Sequence, residues 1–482
     1  MKFALKAHPS DNVAVLTDAV AKGEQFGLED ALCIAKQDMK LGQKIAVNHL
    51  RAEEPILRYG FTIGCAKNDI PQGELINGMN MKVHSVKEMN CATPKPVATA
   101  YFNGFRRPWG TVGIRNEVWV LSLTGCVNDT ADKIAADGQQ YRTESIDAIV
   151  SLTHPYGCSQ MNEDIDSLKQ ILKRILRHGN AAAVLVVGLA CASLSPDVFC
   201  DCLEPEDMDR IRVLDCQTVD DEIATGLSYL KELCALADTY RRERIPLQEL
   251  IIGVKCGASD AWSPITSNPV IGLAADKLIA QGGSALLTEL SEMNGALEFL
   301  SNRCKDPAAK QKLCNMMERY ASNAAASPLT EMDTIKGVDS VEERQLAFLQ
   351  KGGRGEIVDV LSYGEAVQNK GLNLLQAPGY DMVAVSAMAK SGAHMVLFST
   401  GRGTPLGTFV PTLKIANSSD LYERKKEWID FNAGSRADGE SLEDVSDKLF
   451  HLILAVANGE YKARNEVQNF RNLTVWNEGV TL

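Results

Sequence analysis

The chain has 482 residues, of which 45% are hydrophobic and 23% charged, with 17 prolines and a formal net charge of −12. A chain of this length exceeds what one hydrophobic core organises, so two or three globular domains are expected, and the composition excludes disordered and disulfide-framework proteins. The negative charge argues against non-specific binding to nucleic acid or anionic membranes. A small anionic ligand stays compatible with it wherever Arg, Lys or a metal reverses the field locally.

The stretch 1–91 alternates short apolar segments with turns, at 12–16, 44–47 and 55–57, the spacing of a small β-rich domain. Met1 to Ser10 carries charges and no apolar signal region, so a cytoplasmic location is expected. Segment 92–100, with Pro94 and Pro96 and no periodicity, reads as a linker. Beyond it, apolar strands at 118–123, 148–152, 183–189, 250–254, 284–287 and 396–399 alternate with amphipathic helices; Ile165, Leu168, Ile171, Leu172, Ile175 and Leu176 share one helix face before Gly179. Such alternation predicts an α/β architecture with a mainly parallel sheet. A weaker break near Gln248, after the run Arg241, Arg242, Glu243, Arg244, divides it into 101–248 and 249–482. The longest apolar run, 181–192, is too short to cross a bilayer, contains Gly188 and reads as a buried strand.

Thirteen cysteines without a secretory signal read as free thiols or ligands rather than disulfides, and no CxxC pair occurs. Cys200 and Cys202 lack partners at zinc-site spacing and are taken as coincidental. The reactive residues concentrate after the strands: Cys126 after the first, His154 and Cys158 after the second, Cys191 at the end of the third, Cys256 with Ser259 and Asp260 after the fourth, and Glu289 after the fifth. Ligands of open α/β sheets bind at the carboxyl ends of strands, so these positions can share one crevice, and thiolate, imidazole and carboxylate together suit iron, manganese or zinc. Each cysteine taken singly also fits a small buried hydrophobe. His154, beside Pro155 and Gly157 in a loop, fits a functional role as well as a packed one. His394 in an apolar strand reads as core, His178 as a helix cap, and His8 as part of a turn.

Ser399-Thr400-Gly401-Arg402-Gly403-Thr404-Pro405 suits an anion cradle, with Arg402 forking onto a carboxylate, or a plain glycine-rich turn. Lys414, on a following strand, suits a base, a carboxylate partner or a solvated lysine. Arg106, Arg107 and Arg115 form a second positive patch or cover the surface.

Taken together, these segments resemble the altronate/galactarate dehydratase family. The resemblance is carried by His8-Pro-Ser-Asp11-Asn12, Gly113-Ile-Arg-Asn116, Gly125-Cys-Val-Asn128, His154-Pro-Tyr-Gly-Cys-Ser-Gln160, Cys256-Gly-Ala-Ser-Asp260, Gly371-Leu-Asn-Leu-Leu375, the stretch from His394 to Pro405, Trp428-Ile-Asp430 and the terminal Gly479-Val-Thr-Leu482. It implies an amino-terminal SAF-type β-clip domain followed by α/β dehydratase domains. It also implies a hydro-lyase converting an aldonate, altronate or a relative of it, into a 2-keto-3-deoxy acid and water, with a divalent metal, Fe2+ or alternatively Mn2+.

Under that resemblance His154, Asp260 and Lys414 are the expected acid/base residues, Arg402, Thr404, Asn128 and Ser259 the substrate contacts, and Cys126, Cys158 and Cys256 the metal ligands. Departures accompany it: family members usually carry histidines where this chain has Gln43, Leu75, Asn77 and Met79, a glutamate at Ala192, and cysteines at Ala347 and Ala393; the glycine-rich stretch between Ser327 and Gln350 is altered too. A lyase expelling another β-leaving group, and a non-catalytic sugar-acid-binding paralogue, are the competing readings. The expected partner is a small anionic sugar acid, with no nucleic acid and no membrane; a homo-oligomer is left open.

Overall fold

The computed structural model describes residues 3–28, 31–83, 97–160, 162–257, 259–289, 296–326 and 341–476. Most of the expected linker, part of the altered stretch after Ser327 and the terminal Gly479–Leu482 motif lie outside these residues.

The amino-terminal part is all β. A six-stranded sheet runs in the order Ala31–Ile34, Gln25–Leu28, Phe3–Leu5, Val13–Leu16, Lys44–Ala46, Leu75–Ile76, and a smaller one joins Pro55–Arg58, Phe61–Ala66 and Met81–Val83. Arg58 faces Phe61 across a two-residue turn in which both Tyr59 and Gly60 have positive φ, the geometry whose twist matches that of a hairpin. The His8–Asn12 motif builds that corner. The Asp11 carboxylate accepts from His8 N at 2.9 Å, Tyr59 N at 3.0 Å and Gly60 N at 2.6 Å, and Asn12 bonds Leu57 N and Pro55 O. His8 stays in the turn, Nδ1 2.7 Å from Ser10 Oγ. Buried Glu343 then fastens this unit to the rest of the chain, holding Lys44 at 2.9 Å and Arg58.

The middle part holds a four-stranded parallel sheet, ordered Ala148–Leu152, Glu117–Ser122, Ala181–Gly188, Ile211–Asp215. All eight residues of Ala181–Gly188 are buried, because a parallel strand is covered on both faces. On one face packs the helix Asn162–Leu176, through Leu168, Ile171, Leu172, Ile175 and Leu176, each worth roughly 1.5–3 kcal/mol of burial.

A seven-stranded sheet, also parallel, follows in the order Ile357–Leu361, Leu372–Leu375, Ser284–Leu287, Ile251–Cys256, Met395–Thr400, Thr412–Ala416, Phe431–Asn432. The chain builds outward on one side of Ile251–Cys256 and then returns to build on the other, so the order reverses between Ile251–Cys256 and Met395–Thr400. That reversal opens a crevice at the carboxyl ends of these two strands.

Arg107 and Arg115 correct one expectation. Neither forms a surface patch: buried Arg107 donates to Gly179 O, Asn116 Oδ1 and Arg115 O, and buried Arg115 forks onto Glu466 at 2.7 and 2.9 Å. Arg106 alone stays at the surface, paired with Glu243. His394 sits in the core as expected, its ring between Val112 O and Ile251 N. No helix among the described residues is long and apolar enough to cross a membrane.

Candidate active site

The crevice of the seven-stranded sheet is floored by a buried charge cluster. Lys255 interrupts the otherwise apolar strand Ile251–Cys256, and its ammonium lies 3.0 Å from Glu289 Oε1, 2.8 Å from Cys256 O and 3.1 Å from Asp381 Oδ1. Glu289 Oε1 also accepts from Cys256 N at 2.8 Å, while Oε2 takes the ammonium of Lys351. Glu289, just past Ser284–Leu287, has φ +75°, a conformation that a non-glycine residue adopts only when its surroundings hold it there.

Burial alone would raise the Glu289 pKa, but Lys255 and Lys351 hold it down at about 2. Burial opposes the Lys351 charge; the Cys256 sulfur and Glu289 outweigh it and leave that pKa raised. Two cations thus share one fully buried carboxylate, with Asp381 as a second, solvent-facing counterion. Two cations against two carboxylates leave the cluster neutral, so it adds nothing to the protein's negative field here.

Cys256 ends the strand that carries Lys255, and Ser259 and Asp260 follow it in the chain. Ser259 Oγ donates to Cys256 Sγ at 3.2 Å, and Cys256 packs on Phe348. Asp260 Oδ1 accepts from Trp262 N, Ser263 N, Ser263 Oγ and Asn417 Nδ2. Its other oxygen faces the neighbouring loop, where a Cβ on Gly401 would stand 2.6 Å from Oδ2; only glycine lets that loop come so close. Burial raises the Asp260 pKa against the opposing pull of these hydrogen bonds.

The loop 401–405 closes on itself. Thr400 Oγ1 accepts from Gly403 N at 2.9 Å, and Thr404 Oγ1 accepts from Leu406 N at 3.2 Å, so these backbone amides are used within the turn and do not form an anion cradle. Arg402 projects from it, exposed at the crevice rim. Lys414 is not a solvated strand lysine: it is 1% exposed, its amine donates to Leu406 O at 3.0 Å, and burial lowers its pKa to about 8. It supports the loop from beneath.

The remaining expected residues stand on the other parallel sheet. Asn128 does not face a substrate, because its side chain is used between Ser122 Oγ (2.7 Å) and His154 O (3.1 Å). His154 is 2% exposed, its Nδ1 accepts from Tyr156 N, and burial lowers its pKa to about 4, leaving a neutral, enclosed ring rather than a crevice group. Cys126 and Cys158 are exposed at the ends of their strands, whereas Cys256 is buried at the foot of the other sheet. The expected ligand trio therefore does not assemble, and among the described residues no three His, Cys, Asp or Glu side chains are set to hold a metal ion. Each thiol does stand at or just past a strand end, but the break near Gln248 puts Ile251–Cys256 in a different sheet from the other two strands, so their ends do not share one crevice. The sequence reading passed over Lys255, Lys351 and Asp381; a lysine inside an apolar strand was the available signal.

Three family models match in succession: the altronate/galactarate dehydratase SAF domain over residues 2–84, the D-galactarate dehydratase/altronate hydrolase second domain over 104–238, and the D-galactarate/altronate dehydratase C-terminal domain over 247–481. The chain is 39% identical to altronate dehydratase of Bacillus subtilis (strain 168), with 100% of both chains covered, and 37% identical to that of Escherichia coli (strain K12), with 99% of each covered. Galactarate dehydratase (L-threo-forming) of Escherichia coli (strain K12) is 30% identical, covering 98% of this chain and 97% of that one. The chain belongs to the altronate/galactarate dehydratase family.

Proposed function

We propose that the chain is a carbon–oxygen lyase that dehydrates an altronate-like aldonate to a 2-keto-3-deoxy acid, with domains at 1–91, 101–248 and 249–482. The observation that carries this reading is the buried Lys255–Glu289–Lys351 cluster at the carboxyl end of Ile251–Cys256, the reversal point of the seven-stranded sheet, with Asp260 a few residues further along the same chain segment. A proton beside a carboxylate is very weakly acidic, so removing it needs fixed positive charge where the enediolate develops.

The roles divide as follows. Arg402, with Thr404, receives the substrate carboxylate at the rim. Asp260, whose raised pKa suits proton transfer in both directions, takes the C2 proton on Oδ2 and returns a proton to the C3 hydroxyl as it departs as water. The enol so formed takes a proton at C3 to give the keto acid. Lys255 and Lys351 set the potential around this exchange and fix Glu289 and Cys256, while Lys414 holds the Arg402 loop. Ser259 keeps the Cys256 sulfur hydrogen-bonded. The divalent ion implied by the resemblance finds no three-donor site among the described residues, and no step is assigned to it.

The test is a panel of aldonates and aldarates assayed for 2-keto acid. Product from altronate or a close stereoisomer, lost in Lys255→Met with the fold retained, supports the reading. Binding of a sugar acid without release of water from any of them would move it to the non-catalytic alternative.

A further inference from the structure

At the amino ends of both parallel sheets, opposite the crevice, lies a second cavity of about 520 Å³, within the range of small-molecule sites. Its wall combines the end of the helix Asn162–Leu176 and the turn up to Gly179 with Ile251, the loop 366–370 and the turn from Lys390 to His394. Ile251 opens the strand that Cys256 ends, so about 17 Å of strand separates the cavity from the crevice. The proposed dehydration makes no use of it.

Among the described residues the wall carries five cationic side chains, Lys173, Arg174, Arg177, Lys370 and Lys390, against one carboxylate, Glu249. Three of the five are matched: Lys173 by Glu204 at 2.9 Å, Arg177 by Glu206 at 3.4 Å and Lys370 by Glu249 at 3.2 Å. Half-buried Arg174 makes no ion pair among the described residues. The buried Lys390 ammonium donates to neutral oxygens, Tyr363 Oη at 2.6 Å and Thr474 O at 3.0 Å. Two helices, Asn162–Leu176 and Asp381–Lys390, end here, and each carbonyl end is equivalent to about half a negative charge. A positive balance remains, in a chain whose net charge is −12. A second observation is independent of charge. Ser391 lines the cavity, is fully buried, and its hydroxyl has no hydrogen bond among the described residues, although buried polar groups nearly always have a partner.

We propose that this cavity is a second, non-catalytic site that binds a small phosphate-bearing anion, with Arg174 and Ser391 as its contacts. A phosphate group suits it better than a carboxylate. Its charge of about −1.5 to −2 answers the two unmatched cations, and its three acceptor oxygens take donors from different walls, the Arg174 guanidinium from the helix and the Ser391 hydroxyl from the turn. The walls come from the middle and the carboxyl-terminal parts of the chain, so a bound anion holds the two together and stabilises the fold by mass action.

The readout is binding rather than turnover, so this inference stands or falls apart from the dehydratase reading. The full chain, in chloride buffer at neutral pH, is titrated calorimetrically with inorganic phosphate and with glycerol 3-phosphate, a phosphate monoester. Saturable binding with a Kd below about 1 mM is expected; equal affinities identify free phosphate as sufficient, and a tighter ester identifies an organic phosphate. Arg174→Gln should weaken binding at least about tenfold and Ser391→Ala about threefold, as expected for a charged and a neutral hydrogen bond. Ser391→Ala should also leave the phosphate-free thermal midpoint unchanged or raise it, since it removes an unpaired buried hydroxyl. Arg402→Gln, at the rim of the crevice, should leave phosphate binding intact. No saturable binding, an unchanged Kd in Arg174→Gln, or binding lost in Arg402→Gln would each overturn the proposal, whatever the chain does to sugar acids.

Discussion

Replacing Glu289 by Gln keeps the shape and removes one buried negative charge between Lys255 and Lys351. In the folded protein Lys255 and Lys351 hold the carboxyl below its ordinary value of 4.5 against the opposing effect of burial. The folded pKa is depressed, so the stability it contributes is present above pH 4.5 and is lost as pH falls through the folded value. Breaking a buried pair from one side typically costs about 3–5 kcal/mol. Urea unfolding followed by tryptophan fluorescence should therefore show Glu289→Gln destabilised by about 3 kcal/mol or more at pH 7. Its stability should also fall less steeply than wild type between pH 4.5 and 2. A variant within about 1 kcal/mol of wild type, with the same acid dependence, would refute the cluster as a buried ionic unit.

Three further outcomes are expected. Arg402→Lys keeps the charge but loses the bidentate fork, and should lower kcat/KM for the acid substrate about tenfold, mainly through KM, in steady-state kinetics. Gly401→Ala places a Cβ against Asp260 Oδ2 and Asn417 Nδ2; kcat should fall well beyond any change in thermal midpoint. Lys390 is buried on Tyr363 Oη and Thr474 O, and burial lowers its pKa to about 7. Its unfolded form therefore binds more protons between about pH 7 and 10, stability rises through that window, and Lys390→Met should flatten the rise in urea midpoints.

The sequence was most legible where one period dominates. Ala148–Leu152 and Ser284–Leu287 fall where the apolar runs end, and Ala181–Gly188 is the buried strand its composition predicts. The strand expected at 250–254 runs on to Cys256 and carries the buried Lys255, whose charge is met by Glu289 and Asp381. Those partners lie 34 and 126 positions away in sequence. Arg107, Arg115 and Lys414 misled for the same reason: a long charged side chain reads as surface until its distant acceptors are known. For the thiols, both the strand ends and the break near Gln248 were legible; the expectation of one shared crevice failed because that break separates two sheets.

Proton exchange at C2 and C3 by Asp260 is read out by running the reaction on altronate in deuterium oxide with wild type and Asp260→Asn. The expected result is a 2-keto-3-deoxy acid carrying one solvent deuterium at C3, and a loss of rate of about 10²–10⁴-fold in the variant, the usual contribution of a positioned acid/base group. A keto acid with no deuterium at C3, or an Asp260→Asn variant that turns over at the wild-type rate, would contradict it.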